Sequence, residues 1–89
     1  MHKEYSVDLH GLTTQQAKKR LQQLLNTLPD DAGQLTVIHG FHAGNTLQQT
    51  IRGNGFRHWR IRQKVLSLNP GETILLLHPR TKNQPSKNG

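Results

Sequence analysis

Cysteine is absent from all 89 residues, which removes disulfides, thiolate metal ligands and a thiol nucleophile together. Acidic side chains are scarce, with 5 Asp+Glu against 12 Lys+Arg, and the formal net charge is +7. Aromatic residues make up 4% of the chain and hydrophobic residues 31%. No apolar run approaches the ~18 residues of a membrane span, which excludes a transmembrane helix. The opening Met1-His2-Lys3-Glu4-Tyr5 carries no apolar signal core. These absences predict one cytoplasmic domain with a small core, drawn to a polyanion more than to a neutral metabolite.

The apolar residues that do occur are concentrated in a few segments. Tyr5, Val7 and Leu9 alternate with polar neighbours, which predicts a strand over Glu4 to Leu9. Beyond Gly11, either Thr13 or Thr14 offers a helix N-cap, and Gln16 stands at capping-box distance from Thr13. Ala17, Leu21, Leu24, Leu25 and Leu28 then recur at helical spacing, until Pro29 to Gly33 ends the helix. Leu35-Thr36-Val37-Ile38 predicts a second strand, parallel to the first through a right-handed crossover. Thr46, Leu47, Thr50 and Ile51 begin a second helix, which Gly53-Asn54-Gly55 ends. Trp59 to Leu68 predicts a third strand, joined by a type II turn at Asn69-Pro70-Gly71-Glu72 to a fourth, Thr73 to Leu77. The fourth is apolar on both faces and belongs inside the sheet; the basic third belongs at an edge. The expectation is an α/β two-layer βαβαββ sandwich over residues 3–79, a mixed four-stranded sheet in order 1-2-4-3 with two helices. Residues 80–89 hold no large apolar side chain and read as a disordered basic tail.

Two loops lie where an open α/β sheet binds ligands, beyond the carboxyl ends of parallel strands. One is Asp8-Leu9-His10-Gly11 and the other His39-Gly40-Phe41-His42-Ala43-Gly44. Adjacent parallel strands bring Asp8, His10 and His39 to one edge, where glycines and helix N-termini suit a phosphate. A metal reading of Asp8, His10, His39 and His42 competes, but a glycine loop fixes ligands poorly, so no cofactor is required. A second signal is charge. No acidic residue occurs from Phe41 to Gly71, while Arg52, Arg57, Arg60, Arg62 and Lys64 fall there with Trp59 among them. In a regular strand Arg60, Arg62 and Lys64 share one face, a pattern for phosphate contact beside base stacking, or for an edge that repels other edges.

At these residues the chain resembles the Smr (small MutS-related) domain family. Val7-Asp8-Leu9-His10-Gly11-Leu12 is similar to its first motif, and Leu35 to Gly40 resembles its second, a strand ending in His-Gly before a glycine loop. The likeness runs from about residue 5 to 78 and extends to Leu47–Arg52 and the closing hairpin. The resemblance implies a fold like the C-terminal domain of translation initiation factor three. It also implies nuclease activity that nicks DNA or cleaves RNA, in some members on messenger RNA at ribosomes. The family's functional Asp and His fall on Asp8 and His10, its second His-Gly on His39 and Gly40, and its final loop glycine on Gly44. At the middle loop glycine this chain has His42, which either narrows the approach of backbone to phosphate or adds a titratable group.

The sequence therefore predicts phosphodiester cleavage in a nucleic acid, RNA before DNA, by a monomer. His10 takes a proton from the 2′-hydroxyl, Asp8 orients its imidazole, and His39 or His42 protonates the leaving oxygen. Gly11, Gly40, His42, Gly44, Arg52, Arg57, Trp59, Arg60, Arg62 and Lys64 contact the nucleic acid, with Arg52 and second-loop amides on the phosphate. Metal-assisted hydrolysis with Asp8 as ligand is one alternative, and a binding module without catalysis, for nucleic acid or ribosome, is another.

Overall fold

A computed structural model describes residues 3–40 and 46–79 of the chain. The elements run β1 (Lys3–Asp8), α1 (Thr14–Thr27), β2 (Ala32–Ile38), α2 (Thr46–Arg52), β3 (Ile61–Leu66) and β4 (Glu72–Leu77). They form one four-stranded sheet in the order β1-β2-β4-β3. β1 pairs with β2 in parallel, and β4 lies antiparallel to both β2 and β3. The chain thus makes two helical crossovers, and the second passes over the place that β4 later fills. The α/β class, the strand order and the edge position of β3 are as the patterning predicts. His42, Gly44 and the tail at 80–89 lie outside the described residues.

Local chemistry explains the helix boundaries. Thr13 is the N-cap of α1: its hydroxyl accepts from the Gln16 amide at 3.1 Å, and the Gln16 side chain accepts from the Thr13 amide at 3.0 Å. Ala17, Leu21 and Leu25 on α1 are buried with Ile51 of α2 against Leu35, Val37, Leu75 and Leu77 of the sheet. No helix among the described residues is long and apolar enough to cross a membrane.

The segment before β3 departs from the sequence pattern. Trp59 and Arg60 belong to a turn, tied by the Ile61 amide donating to the His58 carbonyl at 3.0 Å. The register then shifts between Ile61 and Gln63, so the alternation expected of Arg60, Arg62 and Lys64 is broken. Arg60 is fully buried, and its guanidinium donates to the carbonyls of Leu25, Leu28 and Pro29. Those carbonyls end α1, which has no basic residue in its own last turn. A cation that the sequence places on a nucleic-acid surface instead caps a helix from across the fold. The 69–72 turn also differs. The Glu72 amide closes it on the Asn69 carbonyl at 3.0 Å and the Asn69 side chain accepts from the Gly71 amide at 2.9 Å, but Gly71 lacks the positive φ that type II demands.

The buried guanidinium generates a stability prediction. Arg60→Met leaves the final carbonyls of α1 without these donors and lowers the unfolding free energy by about 2–4 kcal/mol, read from urea midpoints at unchanged slope. The exposed neighbour Arg62→Met changes it by less than about 0.5 kcal/mol.

Candidate functional site

The site begins with the register of β1 on β2. Val7 pairs with Val37 and Asp8 with Ile38, and the Leu9 amide donates to the Ile38 carbonyl at 2.7 Å. The two His-Gly loops therefore leave the sheet side by side. Gly11 (φ +86°) and Gly40 (φ +84°) turn the chain there in the left-handed region that disfavours other residues. A Cβ on Gly40 would stand 3.4 Å from the Cβ of His10, so the loops touch. Between them and the starts of both helices lies a cleft of about 340 Å³, walled by His10, Gly11, Thr13, His39, Gly40 and Leu47, among others.

Asp8 and His10 form a pair at its rim. Asp8 Oδ1 lies 2.6 Å from His10 Nδ1 and also accepts from the His10 amide at 3.0 Å. Those hydrogen bonds, the side-chain one first, hold the Asp8 carboxyl below the usual aspartate range. An ionised carboxylate only accepts, so Nδ1 carries a proton, and in the neutral ring Nε2 is left as the acceptor. The imidazole side chain is 68% exposed, open to a ligand.

His39 is placed differently from the sequence expectation. It lines the cleft but is only 5% exposed, with both ring nitrogens engaged. Nδ1 faces the Gly40 carbonyl at 2.8 Å, which can only accept, so Nδ1 bears the hydrogen. In the neutral ring Nε2 then accepts from the Thr73 hydroxyl at 2.8 Å, while Thr73 Oγ1 accepts from Arg52 Nε at 2.8 Å. Arg52 also donates from Nη2 to the Glu72 carbonyl at 3.0 Å. The chain of donors fixes the tautomer of His39 and engages the very nitrogens that proton delivery to a leaving group would require. Both His39 nitrogens thus have partners within the fold, and Arg52 directs Nε and Nη2 to β4.

Of the second-loop amides, those of His39 and Gly40 are described, and residues 41–44 lie outside the described residues. His39 and Gly40 both donate to the Gly71 carbonyl, at 2.9 and 3.0 Å. In the first turn of α1 the Thr14 and Gln15 amides have no partner among the described residues. Thr73 is the residue that sequence reasoning missed. Its signal was a hydroxyl in phase with Leu75 and Leu77, a polar group on the core-facing side of a strand.

The remaining basic residues scatter. Lys64 donates to the Gly53 and Phe56 carbonyls at 2.6 and 2.7 Å, and burial first, then the Arg57 charge, pushes its pKa down. Arg62 is exposed near Lys3, at the opposite end of the sheet from the cleft. Arg57 and Trp59 lie exposed near the C-terminal end of α1. Among the described residues no group of three or more His, Cys, Asp or Glu comes together in a way that could hold a metal ion.

Comparison with known proteins agrees with this geometry. A family model described as "Smr domain" matches residues 7–72. The crystal structure of the Smr domain of Thermus thermophilus MutS2 superposes with a TM-score of 0.72 at 28% identity, covering 84% of this chain and 99% of that one. Among curated protein sequences none matches.

Two measurements check the side-chain assignments. The Asp8 carboxyl, followed by carbon NMR, titrates below the ordinary aspartate value, and His10→Ala moves the midpoint upward. Because the folded pKa is the lower one, this pair stabilises the fold above the ordinary aspartate value, and the effect fades as pH falls through the folded one. Thr73→Val strands His39 Nε2 and Arg52 Nε and costs about 1–3 kcal/mol in urea unfolding. The Gly40 carbonyl still keeps the hydrogen on His39 Nδ1, so the same substitution moves the Nε2 resonance, which loses its donor, and leaves the tautomer unchanged.

Proposed function

The chain belongs to the Smr domain family, whose members bind nucleic acid and in some cases cleave it, and from that premise we propose that it is an endonuclease acting on RNA. The observation that carries the reading is the Asp8–His10 pair, oriented at 2.6 Å with its second imidazole nitrogen open beside a helix N-terminus. His10 Nε2 accepts the 2′-hydroxyl proton as that oxygen attacks the adjacent phosphorus. The phosphorus–O5′ bond breaks, and the departing oxygen takes a proton from solvent at the open rim. Asp8 holds the imidazole in the accepting tautomer and stabilises the imidazolium that forms. The Thr14 and Gln15 amides and the positive end of α1 offset the charge that develops on the phosphoryl oxygens. The products are a 2′,3′-cyclic phosphate and a 5′-hydroxyl.

Cleavage of labelled single-stranded and structured RNA tests this. His10→Ala lowers the rate by about 10²–10⁴-fold while binding persists, and Asp8→Asn lowers it by stabilising the wrong tautomer. A single 2′-deoxy substitution at the cut site abolishes cleavage there. Cutting that survives that substitution, or that proceeds on DNA, overturns the 2′-hydroxyl route in favour of metal-assisted hydrolysis. Tight binding by the wild-type protein with no cutting on any RNA overturns catalysis and leaves a binding module.

A further inference from the structure

A second surface lies at the other end of α1 from the cleft. His58 Nε2 is 2.8 Å from Asn26 Oδ1, which ties His58 to the last turn of α1. Its Nδ1 accepts from the Arg60 amide at 3.1 Å, so the ring is held at both nitrogens. The Trp59 indole stacks on this fixed ring, with centroids 5.5 Å apart and planes inclined by 28°. Trp59 nevertheless remains 61% exposed. Beside it, Arg57, His58 and Lys64 line a groove of about 330 Å³ with Phe56 and Ile61. The positive charge of Arg57 bears on Lys64 across that groove, and an anion bound between them would relieve the repulsion.

We propose that this surface is a stacking site for single-stranded nucleic acid, with a base on the Trp59 indole and its neighbouring phosphate at Arg57 and Lys64. The inference rests on nucleic acid as the partner, and not on the chemistry assigned to His10. An indole already backed by an immobilised ring loses little freedom when a base covers its face, and every base has such a face to offer. A duplex keeps its bases stacked on one another and presents none to Trp59. An acidic peptide would meet the cations without covering the indole. From Thr14 at the cleft to Asn26 beside His58 is 12 helical steps, about 18 Å at ~1.5 Å per residue. At ~3.4 Å per stacked nucleotide that is a span of about five nucleotides, so a shorter strand cannot engage both places at once.

Trp59 is the one tryptophan in the chain, so intrinsic fluorescence reports this site alone. The wild-type protein is titrated with oligodeoxyadenylates of three to about twelve nucleotides, which carry no 2′-hydroxyl to be attacked, with anisotropy of a labelled strand followed in parallel. The expected result is quenching of the Trp59 emission that tracks the anisotropy, with a step in affinity once strands exceed about five nucleotides. Trp59→Leu weakens binding about tenfold or more, and Arg57→Gln reduces the salt slope by about 0.7. Duplex of equal length binds without quenching. Saturated anisotropy with unchanged emission overturns the proposal, as does equal quenching by polyglutamate. Should Trp59→Leu fail to fold, the wild-type quenching decides alone. Quenching without RNA cleavage sinks the nuclease reading and leaves this site standing, while cleavage without quenching does the reverse.

Discussion

The parallel seam between β1 and β2 is the constraint on which the site depends. Because Asp8 sits opposite Ile38 and Leu9 donates to that same residue's carbonyl, the His10 and His39 loops leave the sheet as neighbours. Slipping the seam by one residue would turn Val7 and Val37 from the core to the open face. The hydrophobic interior and the cleft therefore fix each other. Tyr5 and Val7 pack on one side of β1, and Asp8 emerges at its end with its carboxylate free to meet the next loop's imidazole.

The two histidines so placed differ in kind. His10 is exposed, with one nitrogen oriented and the other open; His39 is buried, with both nitrogens committed. Both look alike as His-Gly after a strand. What separates them lies far along the chain, in Thr73 and Gly71, whose hydroxyl and carbonyl reach back to the second loop. The first loop has its partner two residues away, so its role was visible in a short motif. The second has partners more than thirty residues off, and no local pattern reveals them.

The same distinction governs what the sequence showed of the fold. Periodicity located every strand and helix, and the Thr13–Gln16 spacing located the cap of α1, because those signals are local. The apolar run at 74–77 identified the interior strand and so the order of the sheet. Basic residues were harder to assign. Charge alone does not distinguish an arginine facing solvent from Arg60, which ends a helix it is not part of, or from Lys64, which binds two carbonyls of the 53–56 turn. Arg60, though buried, still contributes to the long-range field that draws a polyanion inward, since charge acts at a distance and hydrogen bonds do not. Contact falls to others.

One acceptor, the Gly71 carbonyl, receives the amides of both His39 and Gly40. It sits in the closing hairpin, which contributes no side chain to the cleft wall, yet it holds the amides of His39 and Gly40 where the second loop begins. The two motifs are consequently not a transplantable unit: grafted together onto another βαβ scaffold they would carry the Asp8–His10 pair intact and leave the other half of the cleft unformed.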